Sequence, residues 1–174
     1  MHIVLAVLAA VAGIAFWIWR VRMAARAASD LLETADDIRA AVRRFGYRRK
    51  ANTNPLDGID DARLAAAGIL CAFANMSGGI GSAEIAAVAE ECRRAFKTEA
   101  EEAAQIGAYG RWLVQQSANM DETVRRLARN LETKLTGEEK EQLYGMIERV
   151  ASIDDGGLSD GQRRTLENLA RQLG

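Results

Sequence analysis

The stretch ARLAAAGILCAFANM, residues 62–76, decides the fold of this chain. Its one charged residue is Arg63, and its fifteen residues are too few to cross a bilayer core, which takes about 20. A helix that is apolar on nearly every side is buried among other helices. Gly68 lies in the middle of the stretch and lets a neighbouring helix approach closely. The stretch therefore predicts the central helix of an all-α bundle.

Composition extends this prediction to the rest of the chain. There is one proline, Pro55, in 174 residues, and aromatic residues make up only 6%, so the core must be built from Ala, Leu, Ile and Val. An alanine-rich, charge-rich and proline-poor chain favours helices, whereas β-rich chains carry more turn residues and β-branched runs. Residues 56–174 are predicted to form one compact helical domain.

Hydrophobic periodicity and capping residues place the other helices of this domain. Residues 82–96 form an amphipathic pattern, with Ile85, Val88, Ala89, Cys92 and Phe96 on one face. Three helices are expected to begin at capping residues: Thr98 with Glu101, Asn119 with Glu122 (a helix ending at Gly137), and Thr136 with Glu139. The apolar residues expected to be buried by the last two helices are Leu143, Met146, Ile147 and Val150, then Leu166, Leu169 and Leu173 in residues 160–173.

The N-terminal segment Ile3–Trp19, IVLAVLAAVAGIAFWIW, has seventeen residues and no charge. As a helix it would span roughly 25 Å, the short end for a bilayer core of about 30 Å. No Lys or Arg precedes it, whereas Arg20, Arg22 and Arg26 follow it. This order favours a retained anchor over the alternative, a cleaved signal peptide. Residues 1–23 are thus predicted to be a single-pass anchor in the inner (plasma) membrane, with the N-terminus outside and the domain in the cytoplasm.

Residues 24–55 are predicted to be a juxtamembrane helix and a linker. The apolar stripe of residues 24–45 includes Ile38, Val42 and Phe45. It could pack on its own domain or on a twin, serve as a stalk, or lie on the membrane. The basic cluster RRFGYRRK, residues 43–50, is a candidate contact for anionic lipid. A helix is expected to start here, with Asn54 as its N-cap and Pro55 as its first residue.

Two helix junctions of the domain echo each other. ANM-SGGIGSAEIAAV, from Ala74, and ASI-DDGGLSDGQRRTL, from Ala151, align with one inserted residue. The alignment matches Ser77 with Asp155, Gly78 with Gly156, Ile80 with Leu158, and Glu84 with Gln162. Each copy reads as a helix, a tight glycine turn, an apolar residue and a second helix.

This pattern of an alanine, an apolar residue and Asp-Gly-x-Ile-x-x-x-Glu between two helices resembles the TerB-like (tellurite-resistance) domain. The same domain occurs at the N-terminus of membrane-anchored DnaJ-type co-chaperones. The resemblance covers about residues 60–174. It implies a bundle of about seven helices that serves as a scaffold or sensor at the bacterial envelope under stress. It also implies acidic residues that have been proposed to bind divalent cations.

The match to the family's acidic residues is partial. This chain has Ser77 where the family has Asp, and Gln162 where Glu is usual, although Asp155 and Gly156 are kept. A cation site built from Asp154, Asp155 and Asp160 is therefore one interpretation of the acidic loop. The other is a structural turn: Ser159 and Gln162 form an S-x-x-Q capping box, with Gly156 or Gly157 at positive φ. The His-Pro-Asp motif of a J domain is absent from the sequence, so the resemblance does not imply co-chaperone activity.

Residue types exclude several classes of function. The only histidine is His2, which excludes Ser-His-Asp triads and the usual zinc sites. Cys71 and Cys92 lie in helical patterns and are expected to be buried, reduced thiols. Residues 51–174 carry fourteen Lys or Arg and twenty Asp or Glu, a net charge of −6 that disfavours nucleic acid. No nucleophile–base pair indicates an enzyme, and no cofactor is expected.

The sequence predicts a membrane-anchored, cytoplasmic helical interaction or scaffold module in the bacterial stress response. Its partner would be a protein, or a second copy of itself. The alternative is a divalent-metal or stress sensor that uses the acidic loop at Asp154, Asp155 and Asp160.

Overall fold

The helix predicted over residues 62–76 forms with those bounds, Ala62–Met76 (α2), in a computed structural model that describes residues 38–45, 54–153 and 157–174. Asp61 caps it, because its Oδ1 accepts a hydrogen bond of 2.9 Å from the Arg63 backbone N–H. Every residue from Leu64 to Ala74 is buried. A helix enclosed on all sides in this way sets the positions of its neighbours.

Six other helices are described, and all seven belong to the compact unit Asp37–Gly174. α2 packs against every one from the third to the seventh. The described residues contain no β-strand, which confirms the all-α class. The six are α1 (described over residues 38–44), α3 (Ser82–Phe96), α4 (Ala100–Gln115), α5 (Met120–Arg129), α6 (Gly137–Ala151) and α7 (Asp160–Leu173).

The closest packing of α2 is against α4 and α5, at two glycines. A Cβ built on Gly110 of α4 would lie 2.7 Å from the carbonyl carbon and oxygen of Ala67. A Cβ built on Gly68 would lie 2.7 Å from Leu127 Cδ1 and 3.0 Å from Leu113 Cδ1. These contacts confirm the close approach predicted at Gly68, and they add a second glycine from the facing helix.

The helix predicted to start at Asn54 and Pro55 is wrong. Asn54 instead closes an isolated turn, in which its Oδ1 accepts from the Leu56 N–H and its carbonyl oxygen accepts from the Asp57 N–H, both at 2.9 Å. Asn130, at the end of α5, accepts from the N–H groups of Gly58 and Ile59 at 3.1 and 3.0 Å. This long-range clamp holds the segment extended, so the helix starts only at Ala62.

The capping box predicted at Thr98 is also wrong. The N-cap of α4 is Glu99, and the side chain of Thr98 makes no capping hydrogen bond. Its hydroxyl is buried with no hydrogen-bond partner among the residues described. The C-cap of α3, Lys97, adopts the left-handed conformation with φ 53°, so only Lys97, Thr98 and Glu99 connect α3 to α4. A connection this short is governed by the packing of α3 on α4 and not by local capping preference.

The cap predicted at Asn119 is confirmed, because its Oδ1 accepts from the Glu122 N–H at 3.0 Å. The predicted end of that helix is wrong, since α5 stops at Arg129 and a turn fills residues 130–134. The boxes at Thr136 and Ser159 are confirmed as the starts of α6 and α7. Gly157 adopts φ +64°, as the turn before α7 requires.

α1 packs its apolar stripe on the bundle. Ala41 is fully buried, Ile38, Val42 and Phe45 are partly buried against the core, and the Phe45 ring meets Tyr109 edge-on at 5.8 Å. The predicted anchor at residues 1–23 lies outside the described residues, as do residues 24–37 of the predicted juxtamembrane helix. Within the described ranges, none of the helices combines the length and the apolar character needed to span a bilayer.

Candidate functional site

The two echoed junctions perform the same capping chemistry. The Gly81 N–H donates to Glu84 Oε2 at 2.7 Å at the start of α3. The Ser159 N–H donates to Gln162 Oε1 at 2.9 Å at the start of α7. Residues that the repeat aligns therefore hold equivalent positions, three residues inside the N-cap.

Gln162 also joins the two copies to each other. Its side chain is 1% exposed, and its Nε2 donates to the Phe73 carbonyl oxygen at 2.9 Å and to Ser77 Oγ at 2.8 Å. A single amide thus caps the start of α7 and binds the last turn of α2. The repeat alignment did not predict this contact. The alignment matches residues at equivalent positions of the two copies, such as Ser77 and Asp155, whereas the contact joins Ser77 of one copy to Gln162 of the other.

At this contact a hydroxyl and an amide bind each other. A carboxylate at position 162 would place an oxygen against the Phe73 carbonyl, which only a donor can satisfy. The described part of this junction is therefore a neutral, hydrogen-bonded link between helices.

Of the predicted cation ligands, Asp154 and Asp155 lie outside the described residues. Asp160 is exposed at the first position of α7. In the ranges that the structure covers, no three or more His, Cys, Asp or Glu side chains gather at metal-binding distance. The cation site thus stays a prediction from the sequence.

An open groove lies between α5 and α7, beside this junction. It has two adjoining lobes, of about 320 and 540 Å³, which share Asp121, Thr165 and Asn168 in their walls. The remaining lining residues of the two lobes are Met76, Asn119, Met120, Glu122, Val124, Arg125, Ser159, Gly161, Gln162, Arg164, Leu169 and Gln172. The groove therefore runs along α7 from its N-cap to its last turn.

The groove has a mostly apolar floor and polar rims. Val124 and Leu169 are 2% exposed, and Thr165 is 4% exposed. The Thr165 hydroxyl is hydrogen-bonded to Asp121, which stands exposed on the α5 rim. Asn168 stands exposed on the opposite rim.

The charges at the α5 rim are ordered by ion pairs. Hydrogen bonds from Arg125 and then Arg126 lower the pKa of Glu122, so this carboxylate is ionised at neutral pH. Arg126 also donates to Asp57 at 2.9 Å. The Gln172 side chain donates to the Arg125 carbonyl oxygen at 3.1 Å, which ties α7 to α5 at the far end of the groove.

The buried carboxylate of Glu91 has structural partners. Glu91, 4% exposed on α3, accepts two hydrogen bonds from Arg149 of α6, at 3.0 and 2.9 Å, and one from Arg94 at 2.7 Å. Cys71 and Cys92 are free and fully buried, as predicted. Burial raises the pKa of Cys71, and burial together with the charge of Glu91 raises the pKa of Cys92 to about 12. Both thiols are protonated at neutral pH and are poor nucleophiles.

Comparisons of the chain with protein-family models, with curated proteins and with solved structures found no match.

Proposed function

We propose that this protein is a membrane-anchored helical scaffold whose groove between α5 and α7 binds a segment of a partner polypeptide. The observation that carries the proposal is the groove itself. α5 and α7 pack directly on each other, and the two adjoining lobes are open space along the line where they meet. Ligand-binding clefts in proteins are typically about 300–1,000 Å³, so an open groove of this size suits an external occupant.

The lining chemistry suits a polypeptide. Asn168, exposed on the groove rim, carries a carboxamide, which can donate to and accept from an extended backbone. Val124 and Leu169 supply an apolar floor for a side chain of the partner. Asp121 adds a carboxylate at the rim for a donor group.

The anchor and the cellular role rest on the sequence. The uncharged segment Ile3–Trp19 followed by Arg20, Arg22 and Arg26 supports a single-pass inner-membrane protein with a cytoplasmic bundle. The resemblance of the junctions to the TerB-like family supports a scaffold at the bacterial envelope under stress.

Site-specific photocrosslinking in cells tests the groove. A photoreactive amino acid at position 168, on the groove rim, should form an adduct of defined mass with a polypeptide. The same amino acid at position 167, the adjacent exposed residue outside the groove lining, is the matched control and should form none. Asp121→Arg in the same chain should abolish the adduct at position 168. Equal adducts from both positions would overturn the groove as the binding site.

Membrane anchoring has a separate test. The full chain should stay in the membrane fraction after alkaline carbonate extraction, and a fluorescent protein fused after Gly174 should fluoresce in the cytoplasm. An active alkaline phosphatase at the same position would reverse the proposed orientation. Recovery of the chain in the soluble fraction would remove the anchor from the proposal.

A further inference from the structure

A small pocket lies where α2, α3 and α6 meet, apart from the groove between α5 and α7. The three helices pack on one another in every pairing. The volume of the pocket is about 140 Å³, which is smaller than the clefts that take drug-sized ligands. An apolar cavity of about 150 Å³ is known to hold one benzene molecule. The pocket is therefore large enough for a single ring or a short branched hydrocarbon.

Short side chains keep the pocket open. Ala62 and Ala66 lie one turn apart on α2, and Ala95 lies near the end of α3. These side chains stop at Cβ, so they leave the space in front of them unfilled. The wall contributed by α6 contains Leu143 and Met146, which are 3% and 2% exposed. The floor is thus firmly packed while the space above it stays free.

The lining combines hydrocarbon with one uncharged polar group. Phe96 and Leu135 complete the apolar walls, and both are partly buried against the core. The Phe96 ring and the Met146 thioether suit an aromatic or branched aliphatic ligand. Gln142 is exposed on α6, and its carboxamide offers donors and an acceptor at the rim. The lining therefore matches a molecule that has a hydrocarbon body and a single hydrogen-bonding group.

The two charged side chains of the lining are engaged by other residues. Arg63 donates to Asp61 at 2.8 Å and to Glu102 at 3.1 Å. Glu139 accepts hydrogen bonds from the Thr136 N–H at 2.8 Å and from the Thr136 hydroxyl at 2.9 Å. A charged ligand would lose water on entry without gaining a counter-ion of its own, and this costs more than the entry of a neutral molecule.

We propose that the pocket between α2, α3 and α6 binds a small neutral molecule with one ring or branched hydrocarbon and one hydroxyl or amide group. The hydrocarbon enters between the alanines and Met146, and the polar group stays at the rim beside Gln142. Removal of apolar surface from water drives such binding. The site is independent of the groove between α5 and α7 and requires no partner polypeptide.

Methionine methyl NMR tests the site, with benzyl alcohol as the probe. The full chain is used, in lipid nanodiscs if it requires lipid. Met146 lines this pocket, whereas Met76 and Met120 line the groove between α5 and α7. Benzyl alcohol should shift the Met146 methyl signal to saturation, because the bound ring changes the magnetic field beside it. A Met146 signal that stays in place, or that moves in parallel with those of Met76 and Met120, would overturn the inference.

Two alanine-to-leucine variants on α3 provide the comparison. Ala95→Leu places an isopropyl group in the pocket and should abolish the saturable shift of Met146. Ala86→Leu adds the same group at an exposed position of the same helix, outside the pocket lining, and should leave the shift unchanged. Equal binding of benzyl alcohol by the two variants would show that the pocket is not the site.

The wild-type chain tests the chemical class of the ligand, so this measurement needs no variant that folds. Benzoate and benzylammonium keep the ring of benzyl alcohol but carry a charge. Both ions should half-saturate the Met146 shift only at higher concentrations than benzyl alcohol does. If either ion reached half-saturation at the same concentration or a lower one, the assignment of a neutral ligand would be wrong.

Discussion

The fold cannot accommodate a side chain in place of Gly110 on α4. A Cβ there would lie 2.7 Å from the Ala67 carbonyl carbon and oxygen, and those atoms belong to the central helix and cannot rotate away. Gly110→Ala should therefore force α2 and α4 apart and lower the free energy of unfolding by about 3 kcal/mol, despite the better helix propensity of alanine.

Gly137, the first residue of α6, is the matched control for this substitution. A Cβ there would lie within 4 Å of no neighbouring atom among the described residues. Gly137→Ala should leave stability unchanged or raise it by up to about 1 kcal/mol. Urea unfolding followed by circular dichroism measures both variants. If Gly110→Ala were as stable as the wild type, the close packing of α2 on α4 would be wrong.

Asp61 links the stability of the central helix to pH. Burial works against ionisation of this carboxyl, but the hydrogen bonds from Arg63 and the positive charges of Arg63 and Lys134 together outweigh it, so the pKa of Asp61 lies below its ordinary value of 3.8. A depressed folded-state pKa stabilises the fold above the unfolded-state value, and this contribution disappears as pH falls through the folded-state pKa.

Asp61→Asn keeps an N-cap acceptor but removes the charge. At pH 7 it should be less stable than the wild type by about 0.5 kcal/mol, a small value because the ion pair with Arg63 is partly exposed. As the pH falls below 3.8, the difference between the two midpoints of urea unfolding should shrink. A difference that stays constant between pH 7 and pH 2.5 would show that the charge of Asp61 has no part in it.

At the scale of helices, a substitution of Gln162 tests whether this residue links the start of α7 to the end of α2. Gln162→Glu keeps the acceptor for the Ser159 N–H but replaces the donor to Phe73 and Ser77 with a buried carboxylate oxygen. The variant should lose about 2–3 kcal/mol of stability at pH 7. It should recover part of this loss near pH 4.5, because a protonated carboxyl can donate again.

The aligned position in the first copy supplies the control. Glu84 makes the same capping bond to Gly81 but is only half-buried, so Glu84→Gln should change stability by no more than about 0.5 kcal/mol. Denaturant titrations at the two pH values compare the variants. If both variants changed the free energy of unfolding by the same small amount, the two junctions would share only a capping pattern. The contact of Gln162 with α2 would then contribute little to stability.

Helices were predictable from the sequence where local chemistry decides them. The bounds of α2, α3 and α7 agree with the predicted ranges because apolar periodicity and caps coincide there. The starts predicted at Asn54 and Thr98 failed because distant contacts decide those positions. The hydrogen bonds of Asn130 to the segment after Asn54 prevent the helix predicted there. The packing of α3 on α4 decides the conformation at Thr98.

The candidate site was less predictable than the helices. The repeat marked Gln162 as a capping residue, but its bond to Ser77 joins residues 85 positions apart, and no spacing rule reaches that far. The groove likewise arises from how α5 and α7 pack, and each helix alone shows only an amphipathic pattern. A sequence indicates which side chains can cap, while the tertiary fold decides what they contact.

At the scale of the whole molecule, the two cysteines report how the bundle opens. Cys71 lies on the central helix α2, which contacts five other helices, so exposing its thiol requires the bundle to come apart. Cys92 lies on α3, which packs on α2, α4 and α6 and is joined to α6 by the Glu91–Arg149 pair. If these contacts make one cooperative unit, neither thiol is exposed without global unfolding.

The two native thiols should therefore react with a disulfide reagent at one common, slow rate in native buffer. Urea should raise this rate with the same dependence that global unfolding shows. Ala104→Cys, exposed on α4, provides an internal reference that should react within seconds in the folded protein. Mass spectrometry of peptides sampled during the reaction separates the sites. Faster modification of Cys92 than of Cys71 would mean that α3 detaches on its own, and the bundle would then be two cooperative units instead of one.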